Sequence, residues 1–178
     1  MKIFFDTKFT GLHKKTSLVS IGIITDDGDK FYAELCDFDE DQLDPWLQEN
    51  VIDNLQLQKS REGITKYNEH INETLHFGDK ASLKNALGKW LSQFADIEVW
   101  SDCLHYDWVL FIDIFGNAFD VPTNVHYIPF DICTIFKLKG IDPDINREAY
   151  SGISGVKHNA LHDAKVIRAC YNKLINEN

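Results

Sequence analysis

The N-terminal third of the chain carries three apolar segments that favour β-strands. Residues 2–7 and 17–25 are rich in β-branched and aromatic side chains, and residues 30–35 form a third such segment. The turn Asp26–Asp29 separates the second and third segments and contains Asp-Gly, a strong hairpin signal. The pattern predicts an antiparallel meander, with the first strand central in a larger sheet.

The rest of the chain alternates helical and strand periodicity. We predict a helix that begins at Asp44-Pro45 and carries Trp46 to Leu55, further helices near 82–94, 106–115, 131–138 and 159–174, and strands at 97–100 and around 126–130. Residues 56–80 are polar and give no clear assignment. Three antiparallel strands followed by alternating helices and strands predict an α/β fold, a mixed sheet flanked by helices. The length of 178 residues predicts one domain over residues 1–178.

Composition and charge narrow the class of protein. Hydrophobic residues make up 44% and charged residues 26% of the chain, as in soluble globular proteins. We find neither a run of about 20 apolar residues nor a signal-peptide pattern, so we expect no membrane association and a cytoplasmic location. The formal net charge of −10 argues against a broad basic surface for nucleic acid. It does not exclude a site in which carboxylates bind divalent cations.

The four cysteines give no metal or disulfide pattern. They are scattered along the chain without a CxxC pair, at Cys36, Cys103, Cys133 and Cys170. This spacing disfavours a zinc site or a disulfide framework and predicts reduced, buried thiols.

Two acidic residues follow or open apolar segments. Asp6 ends the apolar run Ile3–Phe5, and position 8, which holds Lys8, faces the same side of the strand because side chains alternate along it. Asp107 lies early in an apolar helix. Alone, Asp6 would more often be a turn or capping residue, and Asp107 a partner of the helix dipole.

His158 and Asp163 lie near the start of the last predicted helix. Five residues turn through about 140° more than one full helical turn, so these two residues would not share a helix face. We therefore place His158 on the approach loop, with Asn159 as the helix cap. From that loop His158 can lean over a site that Asp163 helps to form. A surface histidine is the alternative, and we expect His162 to be an exposed helix residue.

Several other residues have more ordinary interpretations. We expect Asp102 and Asp113 to be solvated and Asp131 to cap a helix. His105 and Tyr106 could stack on nucleic-acid bases. The remaining large aromatic residues of this region are expected to pack in the core: Trp90, Trp100, Trp108 and Phe111.

In order and spacing, these motifs resemble the DEDDh class of 3′→5′ exonucleases, and most closely the small bacterial exoribonucleases of the RNase AS type. The similarity covers nearly the whole chain and is weakest over residues 56–80. The segments that carry it are Phe4–Thr7, Leu18–Gly22, Trp46–Val51 and His158–Ala164. The resemblance implies the ribonuclease H-like fold and a metal-dependent hydrolase.

The resemblance also implies roles for individual residues. Asp6 would bridge two Mg²⁺ or Mn²⁺ ions, Asp163 would complete one ion site, and Asp107 would hold the second ion. His158 would be the general base. The residues expected to contact the 3′-terminal nucleotide are Thr7, Lys8, Phe9, Gly11, Leu12 and Tyr106, with Leu12 near the base.

One position departs from the family. Lys8 stands where the family has a Glu that ligates the ion carrying the attacking water, and an ammonium group cannot ligate Mg²⁺. We therefore expect an exonuclease that acts on RNA or short single-stranded nucleic acid with a free 3′ end and releases nucleoside 5′-monophosphates. We expect Lys8 to impair this activity. Binding of fewer than two metal ions is one option. The alternatives are a noncatalytic nucleic-acid-binding or interaction module and a nucleotide-monophosphate binder. The sequence leaves a homodimer open.

Overall fold

The structure is a computed structural model that describes residues 1–57 and 65–176. Its strands are β1 (Lys2–Phe9), β2 (Leu18–Thr25), β3 (Lys30–Leu35), β4 (Lys66–Asn68), β5 (Glu73–Gly78), β6 (Glu98–Ser101) and β7 (Phe130–Asp131). Its helices are α1 (Pro45–Asn50), α2 (Lys80–Leu91), α3 (His105–Phe115), α4 (Ile132–Leu138), α5 (Arg147–Ser151) and α6 (Ala160–Asn176).

The strands form one mixed sheet in the order β4-β5-β3-β2-β1-β6-β7. Strands β1, β2 and β3 pair antiparallel, as the meander prediction required. Strand β6 adds parallel to β1, β7 adds parallel to β6, and β5 adds parallel to β3. The predicted α/β fold with a ribonuclease H-like mixed sheet is confirmed, and β1 lies in the sheet interior between β2 and β6.

Strand β1 divides its side chains between the two faces of the sheet. Ile3 and Phe5 are buried in a core that includes side chains from α2 and α3. Phe4 is buried in a second core, which includes side chains from α4 and α6. Successive side chains of a strand point to opposite faces of the sheet. Asp6 and Lys8 therefore lie on the same face as Phe4, towards α6, and Thr7 lies on the same face as Phe5, towards α3. The strand can therefore contribute to a site from both of its faces.

Aspartates fix the starts of three helices. Asp44 accepts a hydrogen bond from Leu47 N before Pro45, which occupies the first position of α1. Asp79 caps α2 in the same way, and Asp131 caps α4. The capping role predicted for Asp131 is confirmed.

Gly22 allows α6 to begin directly on the sheet. It pairs with Asp6 across β1 and β2, and a Cβ atom at Gly22 would lie 2.2 Å from the backbone nitrogen of Leu161. A larger residue would push the first turn of α6 away from β2. The close approach at Gly22 brings Asp163 of α6 over the position of Asp6.

Parts of the secondary structure differ from expectation. The strand expected around 126–130 is reduced to the two residues of β7, and α1 ends at Asn50, with a 3₁₀ turn at Ile52–Asn54 after it. The segment that contains β4 and β5 has no assignment from the sequence pattern, and α5 was not anticipated. Residues 58–64 of the unassigned segment lie outside the described residues. No helix in the described ranges is long and apolar enough to cross a membrane.

The predicted packing of four aromatic residues in the core is confirmed, whereas the prediction that the cysteine thiols are buried is wrong for some of them. Trp90 and Phe111 are buried, and Trp100 and Trp108 pack half-buried against the cores. Of the four thiols, that of Cys170 is buried, that of Cys133 is half-buried, and those of Cys36 and Cys103 are exposed. Scattered spacing in sequence did not predict burial, because two of these residues lie in surface turns.

Candidate active site

A two-lobed cleft lies where the strand end of β1 meets the starts of α3 and α6. The narrower lobe has a volume of about 380 Å³ and the wider lobe about 710 Å³. Five residues line both lobes: Asp6, Lys8, Asp102, Cys103 and His158. The structure therefore brings together residues from both ends of the chain, as the sequence analysis expected.

Lys8 bridges two of the candidate metal ligands. Its ammonium nitrogen lies 2.8 Å from Asp6 Oδ2 and 2.7 Å from Asp163 Oδ2. The Lys8 side chain is only 13% exposed, so solvent screens these ion pairs weakly. Burial alone would lower the pKa of Lys8, but the charges of Asp6 and Asp163 outweigh burial and raise it. Lys8 is therefore charged at neutral pH and lies between the two carboxylates.

Asp6 is the most constrained of the carboxylates. Its Oδ2 is buried, and its close partner is the Lys8 ammonium at 2.8 Å. Burial raises the pKa of Asp6, the positive charge of Lys8 lowers it, and the negative charges of Asp107 and Asp163 raise it further. The net effect is a raised pKa, as expected of a buried acid close to other acids.

Asp107 is held by Thr7 from the opposite face of β1. The backbone nitrogen of Thr7 donates to Asp107 Oδ1 at 2.8 Å, and the Thr7 hydroxyl donates to the same oxygen. Burial raises the pKa of Asp107 to about 6, although the hydrogen bonds from Thr7 oppose the shift. Thr7, expected to line a bound nucleotide, also positions this carboxylate.

His158 lies on the loop before α6, as predicted. Its backbone has φ +61°, a left-handed conformation that few residues other than glycine adopt. The exposed ring of Trp46 packs edge-on against the imidazole, with 5.2 Å between the ring centres. Burial lowers the pKa of His158, and the charge of Lys8 lowers it further. The neutral imidazole is thereby favoured, which is the form that can accept a proton.

The loop that carries His158 is fixed at both ends. Asn159 caps α6, since its side chain accepts a hydrogen bond from His162 N at 3.0 Å, and the predicted cap is confirmed. Glu148 of α5 contacts His162 Nε2 at 3.0 Å and the Lys157 ammonium at 3.3 Å. The prediction that His162 is exposed is wrong, because the start of α6 packs against α5 and the His162 side chain is only 12% exposed.

All six residues expected to contact a nucleotide line the wider lobe. The ring of Phe9 stacks on Tyr106 with 5.3 Å between ring centres, so the two aromatic rings form one wall. Gly11 and Leu12 lie on the same lobe, and the Leu12 side chain is 78% exposed. His105 also lines this lobe. An exposed apolar side chain beside an aromatic wall suits the flat face of a base.

The remaining acids fall into two groups. Asp113 is exposed and pairs with Lys80 at the surface, as expected of a solvated residue. The same expectation for Asp102 is wrong. Arg147 donates to Asp102 Oδ2 from Nε at 2.7 Å and to Oδ1 from Nη2 at 2.9 Å, and this half-buried pair lies on the wall of the cleft.

Sequence reasoning missed three residues of the site. Trp46 was expected only as part of a helix, and Glu148 and Arg147 were not considered. Each reaches the cleft from an element whose neighbours are set by tertiary packing. No local pattern in the sequence identifies them.

The donor set suits a hard divalent cation, but the arrangement of charges opposes a two-ion centre. Asp6, Asp107 and Asp163 offer carboxylate oxygens, which Mg²⁺ and Mn²⁺ prefer, and the Oδ2 atom of Asp6 is buried. The ammonium of Lys8, however, lies within 2.8 Å of both Asp6 and Asp163. As they stand, these residues do not fit two ions, because Lys8 takes the position between Asp6 and Asp163.

Comparison with known proteins places the chain in a family. Residues 1–175 match the profile of the Rv2179c-like 3′-5′ exoribonuclease domain. Two curated proteins named 3′-5′ exoribonuclease, Rv2179c from Mycobacterium tuberculosis strain H37Rv and MT2234.1 from strain CDC 1551, are each 33% identical over 69 residues. That stretch covers 36% of this chain and 41% of each relative, less than half of their length. The chain belongs to the family of Rv2179c-like 3′-5′ exoribonuclease domains.

Proposed function

We propose that this protein is a metal-dependent 3′→5′ exoribonuclease whose activity is lowered by Lys8. Its substrate would be RNA, or a short single-stranded nucleic acid, with a free 3′ end. The products would be nucleoside 5′-monophosphates. The observation that carries the proposal is the convergence of Asp6, Asp163 and His158 on one cleft, beside the buried Asp107. Membership of an exoribonuclease family supports it.

The residues of the cleft divide the chemistry between them. Asp6, Asp107 and Asp163 would hold Mg²⁺ or Mn²⁺, which stabilises the charge that develops on a phosphodiester during hydrolysis. His158 would accept the proton of the attacking water at one ring nitrogen, and its lowered pKa keeps that nitrogen free. The wall formed by Phe9 and Tyr106, with Leu12, would receive the terminal nucleotide and set it against the carboxylates.

Lys8 is the reason to expect reduced activity. Its charge opposes a divalent cation at the place where the DEDDh class has a Glu ligand. To admit an ion between Asp6 and Asp163, the ammonium must leave two carboxylates that it contacts within 2.8 Å. The resemblance to the DEDDh class implies two ions, and we expect one or none to bind this chain tightly.

A second candidate function is favoured by the same ion pairs. A chain that neutralises its own acids with Lys8 could keep the fold and the nucleotide lobe without hydrolysis. It would then act as a noncatalytic RNA-binding or interaction module. The two candidates differ in turnover and in ion content.

A labelled-oligonucleotide assay separates them. The chain and its Lys8→Glu variant are incubated with single-stranded RNA in Mg²⁺ and in Mn²⁺, and the products are resolved by length. The exoribonuclease proposal expects a ladder shortened from the 3′ end, weak for the unaltered chain and strong for Lys8→Glu. Binding of the RNA without products from either protein would support the noncatalytic module.

A further inference from the structure

Two cysteines outside the carboxylate cluster lie close enough to react with each other. Cys103 is in the turn between β6 and α3, and Cys133 is in the first turn of α4. Their sulfur atoms are 3.7 Å apart. A disulfide bond is about 2.05 Å long, so a movement of less than about 2 Å would join them. The sequence spacing hides this pair, because the fold creates the contact.

Polar contacts hold the sulfur of Cys133 in a fixed position. Its S–H group donates to Asp102 Oδ1, with 2.9 Å between the atoms. Arg147 Nη2 lies 3.2 Å from the same sulfur and can stabilise a thiolate once it forms. Arg147 also holds Asp102 in position through two hydrogen bonds.

The same guanidinium group disfavours a metal ion at this cluster. Asp102, Cys103 and Cys133 have ligand atoms within 4.8 Å of one another, a spacing that a thiophilic cation could use. Arg147, however, uses both oxygens of Asp102 and brings a fixed positive charge to Cys133. A cation would have to displace that charge, whereas an S–S bond leaves it in place.

The backbone on both sides of the pair is fixed by one residue. Asp131 Oδ2 accepts a hydrogen bond from Leu104 N, and Asp131 Oδ1 accepts one from Cys133 N. The turn that carries Cys103 and the start of α4 are thereby held side by side. The side chain of Cys103 is exposed, whereas that of Cys133 is half-buried, so a soluble oxidant reaches Cys103 first.

We propose that Cys103 and Cys133 form a thiol–disulfide site that takes a low-molecular-weight disulfide, such as oxidised glutathione, as its oxidant. The Cys103 thiolate attacks one sulfur of glutathione disulfide, which forms a mixed disulfide and releases one glutathione. Cys133 loses its proton to solvent, and its thiolate attacks the sulfur of Cys103, which releases the second glutathione as a thiolate that takes up a proton from solvent. The two protein thiols lose two electrons and two protons, and the oxidant gains them.

The bond would alter the wall of the candidate active site. Cys103 lines both lobes of the cleft next to Asp6 and Lys8, and it directly precedes α3, which carries Asp107. Oxidation would draw the exposed sulfur from the cleft towards α4. The reduced and oxidised forms would then differ in the part of the cleft that both lobes share.

The chain is convenient for a direct test by mass spectrometry. No lysine or arginine lies between Lys89 and Lys137, so trypsin releases residues 90–137 as one peptide with both cysteines and no others. The folded protein is incubated with reduced and oxidised glutathione at a series of ratios and then alkylated and digested. Burial raises the pKa of both thiols, so exchange is slow and a pH of about 8.5 with long incubation is appropriate. We expect this peptide to become lighter by two hydrogen atoms and to resist alkylation until a reductant is added.

Single substitutions provide the controls. Cys103→Ser and Cys133→Ser should each abolish the mass loss and leave one cysteine as a glutathione adduct or an alkylated thiol. Cys36→Ser, which removes an exposed thiol elsewhere, should leave the mass loss unchanged. Circular dichroism of each variant checks its fold. The proposal is wrong if the unaltered protein yields the peptide only with alkylated thiols or glutathione adducts while Cys36 is oxidised.

Discussion

The ammonium nitrogen of Lys8 lies 2.7 Å from Asp163 Oδ2, so a strand at the start of the chain and a helix at its end are joined by an ion pair in the candidate active site. Lys8 makes a similar contact with Asp6. A cation supplied by the chain itself thus occupies the place where a divalent ion would need to bind. The behaviour of position 8 is the most informative property to measure.

Replacing Lys8 by Glu should raise metal affinity and, by orders of magnitude, RNA hydrolysis. The change removes the positive charge between Asp6 and Asp163 and adds a fourth carboxylate, which suits Mg²⁺ or Mn²⁺. Isothermal titration with Mn²⁺ and the oligonucleotide assay measure the two effects. Lys8→Met is the matched control, because it removes the charge without adding a ligand and should gain less of both. A Lys8→Glu protein no more active than its parent would show that Lys8 is not the inactivating residue.

Replacing His158 by Ala should lower kcat and leave substrate binding nearly unchanged. In the Lys8→Glu background, where there is activity to lose, we expect a decrease of about 10²–10⁴-fold, as for the loss of a general base. Single-turnover rates and the Kd for an RNA with a free 3′ end and a hydrolysis-resistant terminal linkage separate the two effects. His126→Ala, at an exposed histidine that lines neither lobe, is the control. A full rate in His158→Ala would remove this histidine from the mechanism.

Local patterns predicted the parts of the site that depend on one element. The period of two along β1 placed Lys8 on the same face as Asp6, and the cap at Asn159 placed His158 on the loop before α6. The strands of the meander were predicted almost to the residue because Asp27-Gly28 marks their turn.

What the sequence could not predict depends on contacts between distant elements. Strand β4 is exposed at all three residues, so it has no alternation to detect. Asp102 was expected in solvent because its partner Arg147 comes from α5, a helix with no buried residue to mark it. The contact between Trp46 and His158 joins α1 to the loop before α6, two parts of the chain that become neighbours only in the folded protein. The periodicity of apolar residues shows which face of a helix or strand is buried. It does not show which helices and strands contact each other in the fold.

The stability of the fold should fall as pH is lowered below about 6.5, with His76 as one cause. Its side chain is buried between Thr65 Oγ1, 2.8 Å from Nδ1, and Ser82 Oγ, 3.1 Å from Nε2. Burial lowers the pKa of His76 in the folded protein, whereas the unfolded chain has the ordinary value. The unfolded state therefore binds more protons in this range. The contribution of neutral His76 to stability is complete above the pKa that His76 has in the unfolded chain. It is lost as pH falls through the lower pKa that His76 has in the folded protein.

Urea unfolding of the unaltered chain and of His76→Gln, at several pH values between about 7.5 and 5.5, measures this contribution. His76→Gln should lose stability at neutral pH and show a shallower decline as pH falls. His70→Gln, at an exposed histidine in the turn before β5, should match the parent. Equal pH dependence of the parent and His76→Gln would assign the decline to other groups.

Degradation should begin at a free 3′ end, and binding should depend weakly on salt. A cleft that receives a terminal nucleotide releases mononucleotides from that end and spares a 3′-blocked strand. With a net charge of −10, the protein can neutralise few phosphates outside the cleft. The slope of log affinity against log salt should be about −1 to −3, rather than the value beyond about −4 expected for six or more contacts on a single strand. Titrating the His158→Ala variant, whose substrate binding is expected to match that of the parent, with a short RNA at several salt concentrations measures the slope. A steep slope would reveal a basic RNA-binding surface, and cleavage of circular RNA would make the protein an endonuclease.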